Sequence, residues 1–287
     1  MGELEARIQQ LRASQSDVGL ARVGVALGGI AVAWGLAAAL PPIHWLWLVP
    51  VIGLCQYRLV ISGHEAVHGT LCRSSSLNDV VGLVGQALIG VSFGAYREQH
   101  LAHHRATGTT DDPDGHIYGP VIAAAPGSRR AFVWIFGVVP EVATKLRQKG
   151  VASSGGVGAV IAAQLGLGIA AAAVMHAWWG WIVLWGAPLG VAILLNRTRL
   201  VIEHGLPLEM NRSGARLPTV DIVAPAWQRL LLSPFAFNYH CAHHLFMAVP
   251  HHALPELHAY LRERNHPGFV VAEGDYVHSL RRVILGA

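Results

Sequence analysis

Apolar positions fall in long blocks rather than in short alternations: residues 23–40, 43–62, 157–174 and 178–195 are predominantly Val, Leu, Ile, Ala, Gly and Trp. A helix rises about 1.5 Å per residue, so crossing a hydrocarbon core of roughly 30 Å takes about 20 mostly apolar residues. Each block meets that length. Little more than Pro41-Pro42 separates the first two, and a short turn at His176 separates the last two, so the pattern predicts two helical hairpins. Trp45, Trp47, Trp178, Trp179 and Trp181 sit beside these turns, where amphipathic indoles favour the membrane interface. Residues 77–95 and 131–142 are apolar but short or glycine-rich, which predicts re-entrant or interface-lying helices. At the start, Leu4, Ile8 and Leu11 recur at helical spacing among Glu3, Glu5, Arg7 and Arg12. That predicts an amphipathic interface segment over residues 1–17, without the apolar stretch of a signal peptide, followed by one membrane domain over 18–287.

Charge orients this pattern. None of the 21 Lys and Arg residues lies in either hairpin turn, so both turns are expected to face away from the cytoplasm. The termini, residues 63–156 and everything after Asn196 then share the cytoplasmic side. Charged residues make up only 13% of the chain against about 25% in soluble domains, which excludes disorder and argues against a soluble monomer. The net charge of +4 is scattered, with no basic stripe interleaved with aromatics, so no nucleic-acid partner is expected. Cys55, Cys72 and Cys241 form no CxxC pair and read as free thiols.

The chemistry lies in the histidines. Eight of 17 fall in three boxes: His64 and His68 as HxxxH, His100, His103 and His104 as HxxHH, and His240, His243 and His244 as a second HxxHH. Residues three or four apart share a helix face, so each box is a one-sided array of imidazoles on the expected cytoplasmic side. Neutral imidazole suits iron, zinc, copper and nickel. Glu203-His204, just past the fourth block, supplies a ninth histidine, and nine are too many for one ion but enough for two. Glu65, Asp112, Asp114 and Glu203 could orient such ligands by accepting from the second ring nitrogen. Arg197 and Arg199 could organise the end of the fourth block near His204 but read better as side chains snorkelling to phosphates, and His251, His252 and His258 read as surface residues. His44 and His176 lie in the far turns and are set aside.

Taken with their flanks, the boxes resemble the membrane fatty acid desaturase superfamily. The similar segments are His64-Glu-Ala-Val-His-Gly69 leading to Leu77-Asn-Asp79, His100 to His104 leading to Thr107 and Asp112-Pro-Asp114, and Asn238-Tyr-His240 leading to Val249-Pro-His251. Ala242 and Met247 depart from a third box in which an acidic residue and a proline are common. The resemblance implies an all-α membrane protein of four transmembrane helices in two hairpins, with a cytoplasmic helical cap holding a di-metal site. It further implies two iron ions, dioxygen as co-substrate, a lipid or other hydrophobic substrate, and an external electron donor of ferredoxin or cytochrome type. Desaturation of an acyl or alkyl chain is the expected reaction; lipid hydroxylation and carotenoid ketolation or hydroxylation use the same boxes and stay open, the last because Thr107-Gly-Thr109 and Asp111-Asp-Pro-Asp114 look like carotenoid ketolases.

Two readings from other classes remain beside it. His64-Glu65-Ala66-Val67-His68 also matches HExxH, the motif of a zinc protease, which would leave the two HxxHH boxes without a purpose. A metal carrier would place ligands along a path through the bilayer, whereas the boxes are confined to one side.

Overall fold

The computed structural model of the chain describes residues 2–141, 156–210 and 219–286. Its α-helices are α1 (Glu3–Ala13), α2 (Val18–Ala39), α3 (Trp45–His68), α4 (Ser75–Leu88), α5 (Phe93–Ala106), α6 (Gly115–Ala123) and α7 (Ser128–Phe136). After these come α8 (Val157–Met175), α9 (Ala187–Glu203), α10 (Gly205–Met210), α11 (Ala226–Leu232), α12 (His240–Leu245), α13 (Leu254–Glu263) and α14 (Tyr276–Leu285). Among the described residues there is no strand, only an isolated bridge between Asp221 and Val271. The chain divides into two compact units, one of Met1–Gln15, Gln99–Arg147 and Leu195–Ala287, the other of Ser16–Glu98 and Gln148–Leu194.

The second unit carries the apolar helices. Among the described residues, three helices are long and apolar enough to cross a membrane, namely Val18–Ala39, Pro42–His68 and Val157–Met175. The first two runs therefore extend beyond the expected 23–40 and 43–62, with the first box forming the last turn of α3. The expected fourth span over 178–195 is not among these three. A π-helical stretch, Ile182–Gly186, interrupts it, and α9 then runs on past Asn196, Arg197 and Arg199, which dilute its apolar length. Residues 77–95, expected to be re-entrant or interface-lying, contain a sharp break: α4 and α5 are bent by 104°, which makes the pair either a re-entrant loop or a broken fourth span.

Small residues let these helices approach. A Cβ on Gly19 would lie 2.1 Å from the Leu71 carbonyl oxygen, and one on Gly53 would lie 2.6 Å from Val191 Cβ and 2.8 Å from the Pro188 oxygen. Backbone irregularity is compensated by side chains. The π stretch displaces carbonyls from the regular ladder, and Trp34 and Gln56 donate to those of Leu184 and Trp185 at 3.2 and 3.1 Å. At the end of α4, Gln164 donates to the carbonyls of Ala87 and Leu88, and the Trp185 indole also donates to Leu88.

The first unit packs short helices on two apolar clusters. One gathers Tyr118, Val201, Ile202, Leu206, Ile222 and Tyr276. The other seats Ile8 and Leu11 of α1 against Val249, Leu254, Leu257 and Leu261. The apolar face of the N-terminal helix is thus covered by protein. On α7, Arg130 turns inward to the carbonyls of Ile122, Ala124 and Val283, while Phe132, Ile135 and Phe136 are exposed, as an interface-lying helix would have them. Position 142, the end of that expected element, lies outside the described residues. Before α12, Phe235 and Ala236 both take left-handed conformations, with φ of 62° and 56°.

Because the atoms facing Gly53 are a backbone oxygen and a branched Cβ, neither can swing away. Gly53→Ala is expected to destabilise the detergent-solubilised protein by about 1–3 kcal/mol. Gly28→Ala, where a Cβ would meet nothing within 4 Å, is expected to hold or raise the thermal midpoint through helix propensity. Thermal unfolding of the two variants beside the parent checks this.

Candidate metal centre

Six box histidines and His204 come from three places in the first unit: α5, the residue after α9, and α12. On α5, His100 and His104 are one turn apart and bring their Nε2 atoms to 3.0 Å. On α12, His240 and His244 repeat the arrangement at 3.1 Å. The intervening members, His103 and His243, point elsewhere because one residue of helix turns the side chain by about 100°. His243 Nε2 approaches His104 Nε2 at 3.3 Å, so His100, His104 and His243 converge. His103, His204 and His244 form a second cluster, with ring centroids 4.8 to 5.3 Å apart, and each ring offers one nitrogen to it. The His104 and His244 rings stack at 4.2 Å where the two clusters adjoin. His240 reaches His204 Nε2 at 3.0 Å.

The hydrogen-bond partners decide which nitrogens face inward. His103 Nδ1 lies 2.7 Å from Asp112 Oδ1 and donates to it, so Nε2 carries the lone pair. Thr107 uses its hydroxyl hydrogen on the His103 carbonyl at 2.6 Å, which leaves its oxygen to accept from His244 Nδ1 at 3.4 Å. His244 therefore also presents Nε2 as a lone pair. Burial, and then the neighbouring cationic forms of His104 and His204, hold the His244 imidazole well below its ordinary pKa; burial followed by His244 and Arg199 does the same for His240. Neutral rings aiming lone pairs at one another from about 3 Å suit an intervening cation. This donor set fits one metal ion in each cluster.

The acidic residues sit behind the rings. Asp112 accepts from His103, from the Tyr118 hydroxyl at 2.6 Å and from the Asp114 amide at 2.8 Å. Burial alone would raise its carboxyl, but the hydrogen bonds from His103 and Tyr118 outweigh that and bring it to about 2. Since this lies below the unfolded value, the stabilisation is complete above the ordinary carboxylate range and is lost only as pH falls toward 2. Asp114 accepts from Gln99 at 2.7 Å and lies 3.8 Å from His103 Nδ1. Glu203 is fully buried between Arg199 at 2.5 Å and the Tyr276 hydroxyl at 2.6 Å, and is 3.7 Å from His240 Nε2. Burial pushes its carboxyl up to about 7, against the pull of Arg199 and Tyr276.

In the second unit, His64 and His68 share the last turn of α3 with ring centroids 4.8 Å apart. Gly69, at φ 69°, ends the helix immediately afterwards. His64 Nδ1 meets Glu65 Oε1 at 3.0 Å, and Glu65 Oε2 accepts from Thr70 at 2.7 Å. Both oxygens of this glutamate are engaged by neighbours, unlike those of a protease base waiting on a water. Asn78 fixes the loop behind the box, accepting from the Leu71 amide and donating to the carbonyls of Cys72 and Ser74.

Several side chains differ from their sequence reading. Arg197 and Arg199 turn inward rather than snorkelling: Arg197 donates to Glu141 and the Trp134 carbonyl, Arg199 to Glu203, and both are buried. His251 and His258 are buried rather than surface residues. Tyr118 and Tyr276 escaped notice, because no spacing rule links either to the boxes. Tyr118 holds Asp112 and stacks on the His204 ring at 5.4 Å, tying together two members of one cluster.

The sequence matches the family described as fatty acid desaturase over residues 39–272, which includes every box. The chain belongs to the fatty acid desaturase family. A beta-carotene ketolase of a Paracoccus species is 27% identical over 248 residues, covering 79% of this chain and 88% of the ketolase. An sn-1 oleoyl-lipid 12-desaturase of a Synechocystis species is 25% identical over 274 residues, covering 85% and 75%. Over a shorter stretch of 95 residues, 33% of this chain and 24% of the relative, the chain is 32% identical to a Synechocystis sn-1 acyl-lipid omega-3 desaturase (ferredoxin). As a member of this desaturase family the protein is a membrane oxidoreductase, and among the described residues its histidine clusters could hold metal.

Asp112 joins a ligand-type histidine to the core through Tyr118. Asp112→Asn is expected to lower metal bound per chain by about 10-fold or more at limiting free metal, and Tyr118→Phe by less, because His103 keeps its acceptor. Elemental analysis after dialysis against a chelator reads both.

Proposed function

We propose that the protein uses two irons, dioxygen and electrons from an external donor to desaturate an acyl or alkyl chain of a lipid. The observation that carries the reading is the division of neighbouring histidines, His103 from His104 and His243 from His244, between two clusters. That arrangement calls for two ions rather than one. The ligands in this reading are His64, His68, His100, His103, His104, His204, His240, His243 and His244, with Glu65, Asp112, Asp114 and Glu203 behind them. Iron rather than zinc suits the task, since zinc has no redox chemistry. When bound, the irons supply the activation of dioxygen that removal of hydrogen from an unactivated methylene requires.

The chain's own residues do the rest. Asp112 and Thr107 keep hydrogens on the outer nitrogens of His103 and His244, so their inner nitrogens stay available. Burial of His100, His103, His240 and His243 excludes water that would otherwise intercept a strong oxidant. Taking two hydrogens from adjacent carbons supplies two of the four electrons that reduce dioxygen to two waters. The other two come from the donor, for which a ferredoxin-type protein is supported by one relative's name, sn-1 acyl-lipid omega-3 desaturase (ferredoxin). We place the chain in the membrane as four spans in two hairpins, residues 18–287 acting as one domain behind the 1–17 segment. The termini and boxes lie on the cytoplasmic side, as supported by the absence of Lys and Arg from both turns.

A second reading, carotenoid ketolation or hydroxylation, is favoured by the alignment along 88% of the Paracoccus ketolase. It keeps the site and changes the substrate.

Protein expressed with supplemented iron is expected to carry two irons per chain, and the host's lipid extract to gain double bonds. New keto or hydroxyl groups instead would select the second reading. His103→Ala and His243→Ala are expected to abolish turnover and lower metal content while membrane insertion is retained; full activity in either sinks the di-iron assignment.

A further inference from the structure

Asp221 and His258 take no part in either cluster, yet they form a buried pair directly beneath the third box. Asp221 is completely buried, and His258 is 8% exposed. One carboxylate oxygen of Asp221 accepts the backbone amides of Cys241 at 2.6 Å and Ala242 at 3.0 Å, in the first turn of α12. The other lies 2.7 Å from His258 Nδ1 on α13, which donates to it. The Asp221 backbone is itself clamped, its amide donating to the Val270 carbonyl and its carbonyl accepting from Ala272. On the next residue, the Ile222 amide donates to the Asn238 carbonyl and the Asn238 side chain returns a bond to the Ile222 carbonyl. The His258 ring packs between Tyr239 and Phe269, at 4.8 and 5.4 Å.

A helix of six residues has little stability of its own, so its direction is set by whatever holds its first turn. Here that is one carboxylate. His243 and His244 follow one and two residues after the amides Asp221 holds, so a rotation of Asp221 is passed to them through rigid backbone. We infer that Asp221 and His258 are positioning residues for the third box: Asp221 aims α12, and His258 locks the carboxylate that does so. The inference rests on the reading of His240, His243 and His244 as metal ligands.

Cobalt(II) binding by the purified full-length protein separates the two levels of argument. His258→Leu keeps ring-like volume but removes the donor; His258→Asn restores an N–H near the Nδ1 position. In His258→Leu, cobalt is expected to be lost to a chelator about tenfold faster than from the parent, with an altered visible spectrum that a purely structural role would not produce, alongside a lowered thermal midpoint because the buried carboxylate loses its donor. His258→Asn is expected to return the loss rate to within about twofold of the parent. Asp221→Asn, whose amide oxygen still accepts both backbone hydrogens and whose nitrogen can face the other His258 tautomer, is expected to behave like the parent. Parent-like cobalt loss and spectrum in His258→Leu would overturn the positioning role while leaving the ligand reading intact. Failure of His258→Asn to recover would overturn the hydrogen bond as its cause. A parent protein that binds no cobalt would overturn the ligand reading and this inference with it.

Discussion

Two adjacent residues of an α-helix cannot point the same way, and the first unit is organised around that fact. His103 and His104 diverge from α5 into different clusters, as His243 and His244 do from α12. The separation between the clusters is therefore set by covalent geometry, two helix backbones each supplying a rung. Loops and packing only have to hold the rungs face to face. The cost is burial of polar rings, which drives His240 and His244 to their neutral forms. Each neutral ring must then carry its hydrogen on the correct nitrogen, and that is the task of Asp112 at His103 and Thr107 at His244.

How much of this was legible in the sequence follows from the range of the forces involved. Apolar length is a local property, so the helices α2, α3 and α8 could be read directly, as could the helical spacing of each box. The break at Ile182–Gly186 could not, because the π stretch depends on Trp34 and Gln56 donating from elsewhere in the sequence. The same holds for charge. Arg197 and Arg199 near the end of an apolar run look like lipid-facing cations until Glu141 and Glu203 are found beside them. Tyr118 was invisible for a further reason: its value lies in touching Asp112 and His204 together, and only tertiary folding brings residues 112, 118 and 204 to one place. His258 looks exposed in the sequence because it lies in an amphipathic helix that follows a loop, a pattern that says nothing about a carboxylate 37 residues upstream in the chain.

Relatives named as a ketolase and as a lipid desaturase match this chain at 25 to 27% identity. Names that differ so much within one family mean that membership alone does not specify a product. The inward-turned Arg130, Arg197 and Arg199 each direct their charge to carbonyls and carboxylates of the frame.

Phe235 and Ala236, immediately upstream of the third box, occupy a backbone region that disfavours any residue with a Cβ, by roughly 1–2 kcal/mol each. No isolated segment would hold that shape. The bend exists only while Phe235 is buried and Asn238 is bonded to Ile222, so the third box is assembled by the finished unit and not by its own sequence. An excised peptide spanning the box would keep every histidine and lose the geometry. The three imidazoles come into register only once residues 221–258 have packed together, which makes the box a late product of folding and not a preformed local motif.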